Sequence, residues 1–158
     1  MESRKMSGLE DLYREIILDH YKNPRNQGEL PTPPAIVEQG HNPLCGDEVF
    51  VYIEMDGDTL VDIKIGGQGC SISRSSASMM STAVKGKNSE EIHDLIHRFK
   101  AMMSVEEERP GHEGEADLKE FGELAALQGV VKFPVRIKCA TLAWNTLNQA
   151  IDKASQQG

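Results

Sequence analysis

A chain of 158 residues with 39% hydrophobic side chains is long enough to bury one core, and an aromatic share of 5% makes that core depend on Leu, Ile, Val, Ala and Met. A formal net charge of −8 argues against nucleic acid or an anionic membrane as a partner. The polar opening from Met1 to Asp11 has neither a signal-peptide core nor transit-peptide character, and no apolar stretch reaches membrane-span length, so a cytoplasmic protein is expected.

Leu9, Leu12, Tyr13, Ile16 and Ile17 recur at helical spacing and predict an amphipathic helix over 8–22, stopped by Asn23-Pro24. Residues 24–34, rich in proline, read as a loop. A short strand is expected at Ala35 to Gln39. Val49, Val51, Ile53 and Met55 then alternate with Phe50, Tyr52 and Glu54, and Val61, Ile63 and Ile65 alternate after the turn signal Asp56-Gly57-Asp58. These three segments predict an antiparallel meander. Gly66-Gly67-Gln68-Gly69 is expected to break its last strand.

A helix from about Cys70 to Val84 is expected next, ended by Lys85-Gly86-Lys87. Asn88 with Glu91 forms a capping-box pattern before a helix that places Ile92, Leu95, Ile96, Phe99, Met102 and Met103 on one face. The segment from Glu106 to Glu123 holds eight acids and two bases, a net of −6, so three-quarters of the chain's net charge of −8 sits there. Leu118, Phe121, Leu124 and Ala125 suggest a short helix ending near Gly129, and the last helix is read from Cys139 to about Ala154. The expectation is a single α+β domain over 1–158: a three-stranded antiparallel sheet against about five helices, with an acidic insertion at about 106–123.

Three cysteines in a cytoplasmic chain are metal ligands, reactive thiols or buried spectators rather than a disulfide framework. Cys45 lies in Asn42-Pro43-Leu44-Cys45-Gly46-Asp47, a tight exposed turn that can aim Cys45 and Asp47 at one point. Cys70 follows the bend Gly67-Gln68-Gly69, at a predicted helix N-terminus where the dipole favours thiolate. Cys139 follows Arg136-Ile137-Lys138 and is also expected to begin a helix. All three stand at element boundaries, whereas an inert cysteine is more often inside an apolar stripe. Three thiolates and one carboxylate make a tetrahedral donor set suited to zinc or to iron–sulfur chemistry. Lys132, Arg136 and Lys138 stand close to Cys139 and can offset the negative charge of four anionic donors around a dication.

The Cys45 and Cys70 motifs, Ala77-Ser78-Met79-Met80, and Arg136-Ile137-Lys138-Cys139-Ala140-Thr141-Leu142-Ala143-Trp144 together resemble the IscU/NifU-like family of iron–sulfur cluster assembly proteins. So do Leu12-Tyr13 and Tyr21-Lys22-Asn23-Pro24-Arg25-Asn26, and the likeness spans about residues 8–154. Three departures point to the SufU-type branch. Lys138 stands where IscU-type scaffolds carry a His, and Lys132-Phe133-Pro134-Val135-Arg136 replaces their chaperone-recognition motif. The stretch between Cys70 and Cys139 is also longer. The resemblance implies a zinc site of Cys45, Asp47, Cys70 and Cys139, and a cysteine desulfurase partner of the SufS kind. It also implies Cys45 as sulfur acceptor and Arg136 as the arginine used when the desulfurase engages the zinc. Sulfur would pass on to downstream iron–sulfur assembly proteins, which makes the chain a sulfur carrier of sulfurtransferase type rather than a conventional turnover enzyme. Two other readings of the same residues stay open: a scaffold carrying a transient iron–sulfur cluster, and a small domain whose zinc is only structural.

Other features have plainer readings. His93 and His97 lack the Glu of a metalloprotease helix and are expected to face solvent, and His41 reads as loop polarity. Gly66-Gly67-Gln68-Gly69 has no phosphate-loop lysine, and Cys70 to Arg74 is too short for a phosphatase loop. The Met79-Met80 and Met102-Met103 pairs are read as core, and the acidic segment as solvated surface.

Overall fold

The computed structural model describes residues 2–32, 34–43, 46–103, 123–127 and 134–157. Helix α1 (Glu2–Lys22) leads into strands β1 (Ile36–Asn42), β2 (Asp47–Asp56) and β3 (Thr59–Gln68). Helices α2 (Ser71–Val84), α3 (Ser89–Met103) and α4 (Pro134–Gln157) complete the order. The class is α+β as expected. Among the described residues there are four α-helices, and 123–127 form a 3₁₀ turn where the sequence suggests a fifth helix. The acidic stretch 106–122, with Leu118 and Phe121, lies outside the described residues.

The sheet is antiparallel in the order β1-β2-β3. Asp56 pairs with Thr59 across the two-residue turn Gly57-Asp58, and Asn42 pairs with Asp47 at the opposite end of β2. Val49, Val51 and Ile53 on β2 and Leu60, Ile63 and Ile65 on β3 are buried, so the period-two pattern does mark the face turned to the helices. One strand end differs from expectation. β3 runs on through Gly66 and Gly67 to Gln68 instead of breaking there. Gly67 keeps its pairing with Val49 at a φ of +114°, and a Cβ there would stand 2.2 Å from the Glu48 carbonyl oxygen. Glycine at this position therefore permits a close backbone approach rather than ending the strand.

Helix α4 packs along β1 and β2 and against α2 and α3, while α1 lies on α2. A Cβ at Gly40 would be 1.9 Å from Thr146 Oγ1, so α4 sits directly on β1 where no side chain intervenes. Trp144 is fully buried and stacks on Phe99, with ring centroids 4.2 Å apart. Met79, Met80, Met102 and Met103 are core residues, as their pattern suggests.

The unusual element is α2, which buries Ser73, Ser75, Ser76, Ser78 and Ser81 among apolar neighbours. Buried hydroxyls need partners, and these have them. Ser78 Oγ accepts the Arg25 N–H at 2.8 Å and lies 2.8 Å from His20 Nδ1. Ser81 donates to the Ser78 carbonyl at 2.7 Å and accepts Asn26 Nδ2 at 3.0 Å. His20 is itself buried, and its Nε2 meets Glu123 Oε1 at 2.9 Å, tying the 3₁₀ turn to α1 and α2. No helix is long and apolar enough to cross a membrane among the described residues.

Candidate metal centre

The end of the sheet where β1 turns into β2 lies against the start of α2 and the first turns of α4. Asp47 opens β2 and is 1% exposed, in a position that would be costly for a lone carboxylate. Its Oδ1 accepts the Cys70 backbone N–H at 3.0 Å, and its Oδ2 is 3.8 Å from Cys70 Sγ. The Gly69 backbone makes room for this. A Cβ at 69 would stand 2.6 Å from Asp47 Oδ1 and 2.5 Å from Ser73 Oγ.

Cys70 occupies the N-cap of α2, as its sequence setting predicts. Its side chain makes no capping hydrogen bond, which leaves the sulfur to face Asp47. The positive end of the helix dipole falls on this sulfur. Ser73, one turn on and buried, donates to the Cys70 carbonyl at 3.2 Å and lies 3.9 Å from Cys70 Sγ. Nothing in the residue type of Ser73 alone marks it as part of this site. The signal available for it was its position three residues after a helix-capping cysteine, where a hydroxyl reaches back to the cap.

Cys139 is fully buried, and its thiol lies 3.7 Å from the Val135 carbonyl. It does not begin its helix. α4 starts at Pro134, so Cys139 sits in the second turn. Proline suits a first helical position because its fixed φ is helical and its missing N–H would be unpaired there in any case. The thiol is thus presented by a formed helix, at a distance from its free N–H groups.

Asp47, Cys70 and Cys139 come together: their ligand atoms all lie within 4.8 Å of one another. A tetrahedral ion with metal–sulfur bonds of about 2.3 Å sets its sulfurs roughly 3.8 Å apart, so the gathered donors fit such an ion with small adjustments. Two soft sulfurs and one oxygen favour zinc or iron over magnesium or calcium. Cys45 lies outside the described residues. The flanks of its loop are described, and Gly46 N donates to the Asn42 carbonyl at 2.9 Å.

Arg136 is exposed at the rim, one α4 turn before Cys139. Negative charge on the Cys70 sulfur beside it raises its pKa above the usual arginine value by charge attraction and hydrogen bonding, and Cys139 adds a smaller share. A permanent cation therefore stands against both sulfurs, where it offsets negative charge gathered at the cluster. Lys138 is exposed as well. His93 and His97 are exposed, with His93 Nε2 3.3 Å from Asp152 Oδ1, and neither joins a metal-ligand cluster among the described residues. His41 is exposed at the end of β1.

Comparison with known proteins finds relatives over nearly the whole chain. The family model described as "NifU-like N terminal domain" matches residues 12–140. The chain is 46% identical to a protein of Bacillus subtilis named "Zinc-dependent sulfurtransferase SufU", covering 93% of this chain and 94% of that one. It is 43% identical to a Streptococcus pyogenes protein named "Iron-sulfur cluster assembly scaffold protein IscU", covering 95% of this chain and 89% of the relative. Among solved structures it resembles one from Fervidobacterium islandicum described as a candidate iron–sulfur cluster assembly scaffold of the SUF system. That likeness has a TM-score of 0.75 and 33% identity, over 87% of this chain and 94% of the other.

Proposed function

The chain belongs to the NifU-like N terminal domain family, and on that footing we propose that it is a zinc-dependent sulfur carrier for iron–sulfur cluster assembly, loaded by a cysteine desulfurase. The observation that carries this reading is the convergence of Asp47, Cys70 and Cys139 from three separate elements. Its likeness to a protein named as a zinc-dependent sulfurtransferase supports the choice of metal and reaction.

In this reading Asp47, Cys70 and Cys139 hold zinc together with Cys45. Only two peptide units join Cys45 to Asp47, which limits their Cα separation to about 7 Å. The bound ion would keep its thiolate ligands deprotonated at neutral pH and shield them from side reactions. Cys45 is the sulfur acceptor. Its thiolate attacks the outer sulfur of the donor's persulfide, a new S–S bond forms on Cys45, and the donor cysteine leaves as a thiolate. No oxidant is needed, because one S–S bond replaces another. Arg136, which stands against Cys70 and Cys139, supplies positive charge where anionic sulfur collects during the exchange. Asp47 is the one oxygen donor, a harder partner for zinc than sulfur, and so makes the donor set less locked than four cysteines would.

The test pairs metal analysis with desulfurase turnover. The purified protein should hold about one zinc, be colourless, and accelerate a SufS-like cysteine desulfurase. Cys45→Ala should abolish the mass gain of one sulfur seen by intact-mass spectrometry after incubation with desulfurase and cysteine. Added sulfur persisting on Cys45→Ala would remove Cys45 from the acceptor role. The second reading, a scaffold on the same donors, is favoured by the Streptococcus relative's name. It requires a brown protein that reconstitutes a cluster and hands it to an apoprotein. A zinc protein without effect on any desulfurase would leave only a structural role for the metal.

A further inference from the structure

The two described thiols ride on different helices, Cys70 at the start of α2 and Cys139 on α4. Whether they meet depends on how far α2 has slid along α4. Apolar packing alone holds that coordinate loosely, because burial is non-directional. A short hydrogen bond across the crossing holds it tightly, since its strength falls steeply with distance and angle.

Such a bond is present. Ser76 is fully buried, donates from Oγ to the Ala140 carbonyl at 2.6 Å, and accepts the Trp144 indole N–H at 3.0 Å. Ala140 directly follows Cys139, and Ser76 lies on the helix that Cys70 caps. An alanine at 76 would fill nearly the same volume and serve a helix interior better. The hydroxyl therefore serves the α2–α4 contact rather than α2 itself.

We propose that Ser76 is a positioning residue for the metal centre: its bond to the Ala140 carbonyl sets the height at which Cys139 Sγ faces Cys70 Sγ and Asp47. The inference rests on the zinc reading above. Ser76 hydrogen-bonds to the Ala140 carbonyl and Trp144 rather than to either thiol, and it acts through the first two turns of the helices that carry the sulfurs. On the far side of α2, Ser78 is bonded to the Arg25 N–H and to His20, so the helix is pinned on both flanks. Metal sites reward such support, because donors must be held to within about half an ångström of their working geometry.

Three variants test the role. Ser76→Ala removes both bonds, Ser76→Thr keeps the hydroxyl, and Trp144→Phe removes the indole donor and part of the ring stacked on Phe99 while leaving the Ser76–Ala140 bond. Zinc loss to a chelator should be about 10- to 100-fold more favourable in Ser76→Ala than in wild type, within the range typical of groups that support metal ligands. The thiolate-to-cobalt charge-transfer band of the cobalt-substituted protein should shift. Ser76→Thr should return metal retention to within a few fold. Trp144→Phe should keep its metal even where its melting temperature falls as far as that of Ser76→Ala. Metal loss that tracks melting temperature across all three would overturn the proposal, as would a folded Ser76→Ala with wild-type retention. Should Ser76→Ala fail to fold, the Ser76→Thr and Trp144→Phe arms decide it, and loss of metal in either overturns it.

A metal-free measurement separates this inference from the zinc reading. In a Cys45→Ala background two thiols remain. Phenylarsine oxide bridges them with release of one water, and only if the sulfurs are close. Bridging of Cys70 to Cys139 should weaken at least tenfold on Ser76→Ala. If wild type takes up no zinc but this drop is seen, the positioning role stands and the zinc reading falls. Unchanged bridging on Ser76→Ala overturns the positioning role whatever the metal does.

Discussion

A methyl group on residue 69 would have to occupy space already held by the Asp47 carboxylate and the Ser73 hydroxyl. Neither neighbour is the free end of a long side chain, since Asp47 and Ser73 are both buried. Gly69→Ala is therefore expected to push Asp47 away from Cys70 and to cost about 1–3 kcal/mol, the usual cost of overpacking. Zinc content by elemental analysis should fall well below one per chain, and the chemical denaturation midpoint should drop. Gly46 is the instructive contrast. It has a φ of +70° but open space around its would-be Cβ. Gly46→Ala should carry only the backbone penalty, about 1 kcal/mol, and leave the Asp47–Cys70 contact in place.

Among the elements, α3 is the one whose start the sequence specifies most locally. Asn88 and Glu91 exchange hydrogen bonds, Glu91 N–H to Asn88 Oδ1 at 2.8 Å and Asn88 N–H to Glu91 Oε1 at 3.0 Å. That reciprocal cap satisfies two helix-end donors. Asn88→Ala should destabilise the protein by about 1 kcal/mol, read from urea unfolding with unchanged slope. Zinc retention should be unaltered, because α3 contributes no donor to the cluster. α4 behaves differently. Its start at Pro134 places Cys139 inside a formed helix, so the chain from Arg136 to Cys139 is held by backbone hydrogen bonds, and Arg136 and Cys139 lie on one face three residues apart.

For the molecule as a whole, a metal held by the start of β2, the cap of α2 and the second turn of α4 would be a tertiary cross-link. A ligand that binds only the folded state stabilises it by about 2.7 kcal/mol when present at a hundred times its dissociation constant. For a chain of this size that corresponds to roughly 5–10 °C in melting temperature. Stripping zinc with a chelator should lower the melting temperature by about that amount in differential scanning calorimetry, and adding zinc back should restore it. An unchanged melting temperature on stripping would mean that no zinc is bound preferentially by the folded chain. The buried serines of α2 point to substantial preorganisation, so the loss should be partial, with the metal-free chain still folded.

The sequence by itself determined whatever depends on near neighbours. The alternation of Val49, Val51 and Ile53 marks a sheet face, the spacing of Ile92, Ile96 and Phe99 marks a helix face, and Asn88 with Glu91 marks a cap, because each pattern is written within a few residues. The candidate donors Asp47, Cys70 and Cys139 are legible as chemistry, from residue type and setting. Their meeting was decided only in three dimensions. It depends on contacts between residues far apart in the chain: Gly69 making room for Asp47, Gly67 lying against the Glu48 carbonyl, Gly40 admitting α4, and Ser76 bonding to Ala140. A glycine that yields space and a serine that bridges helices look like an ordinary loop residue and an ordinary helix residue in a linear reading. Their meaning lies in the atoms opposite them, and only the packed fold supplies those.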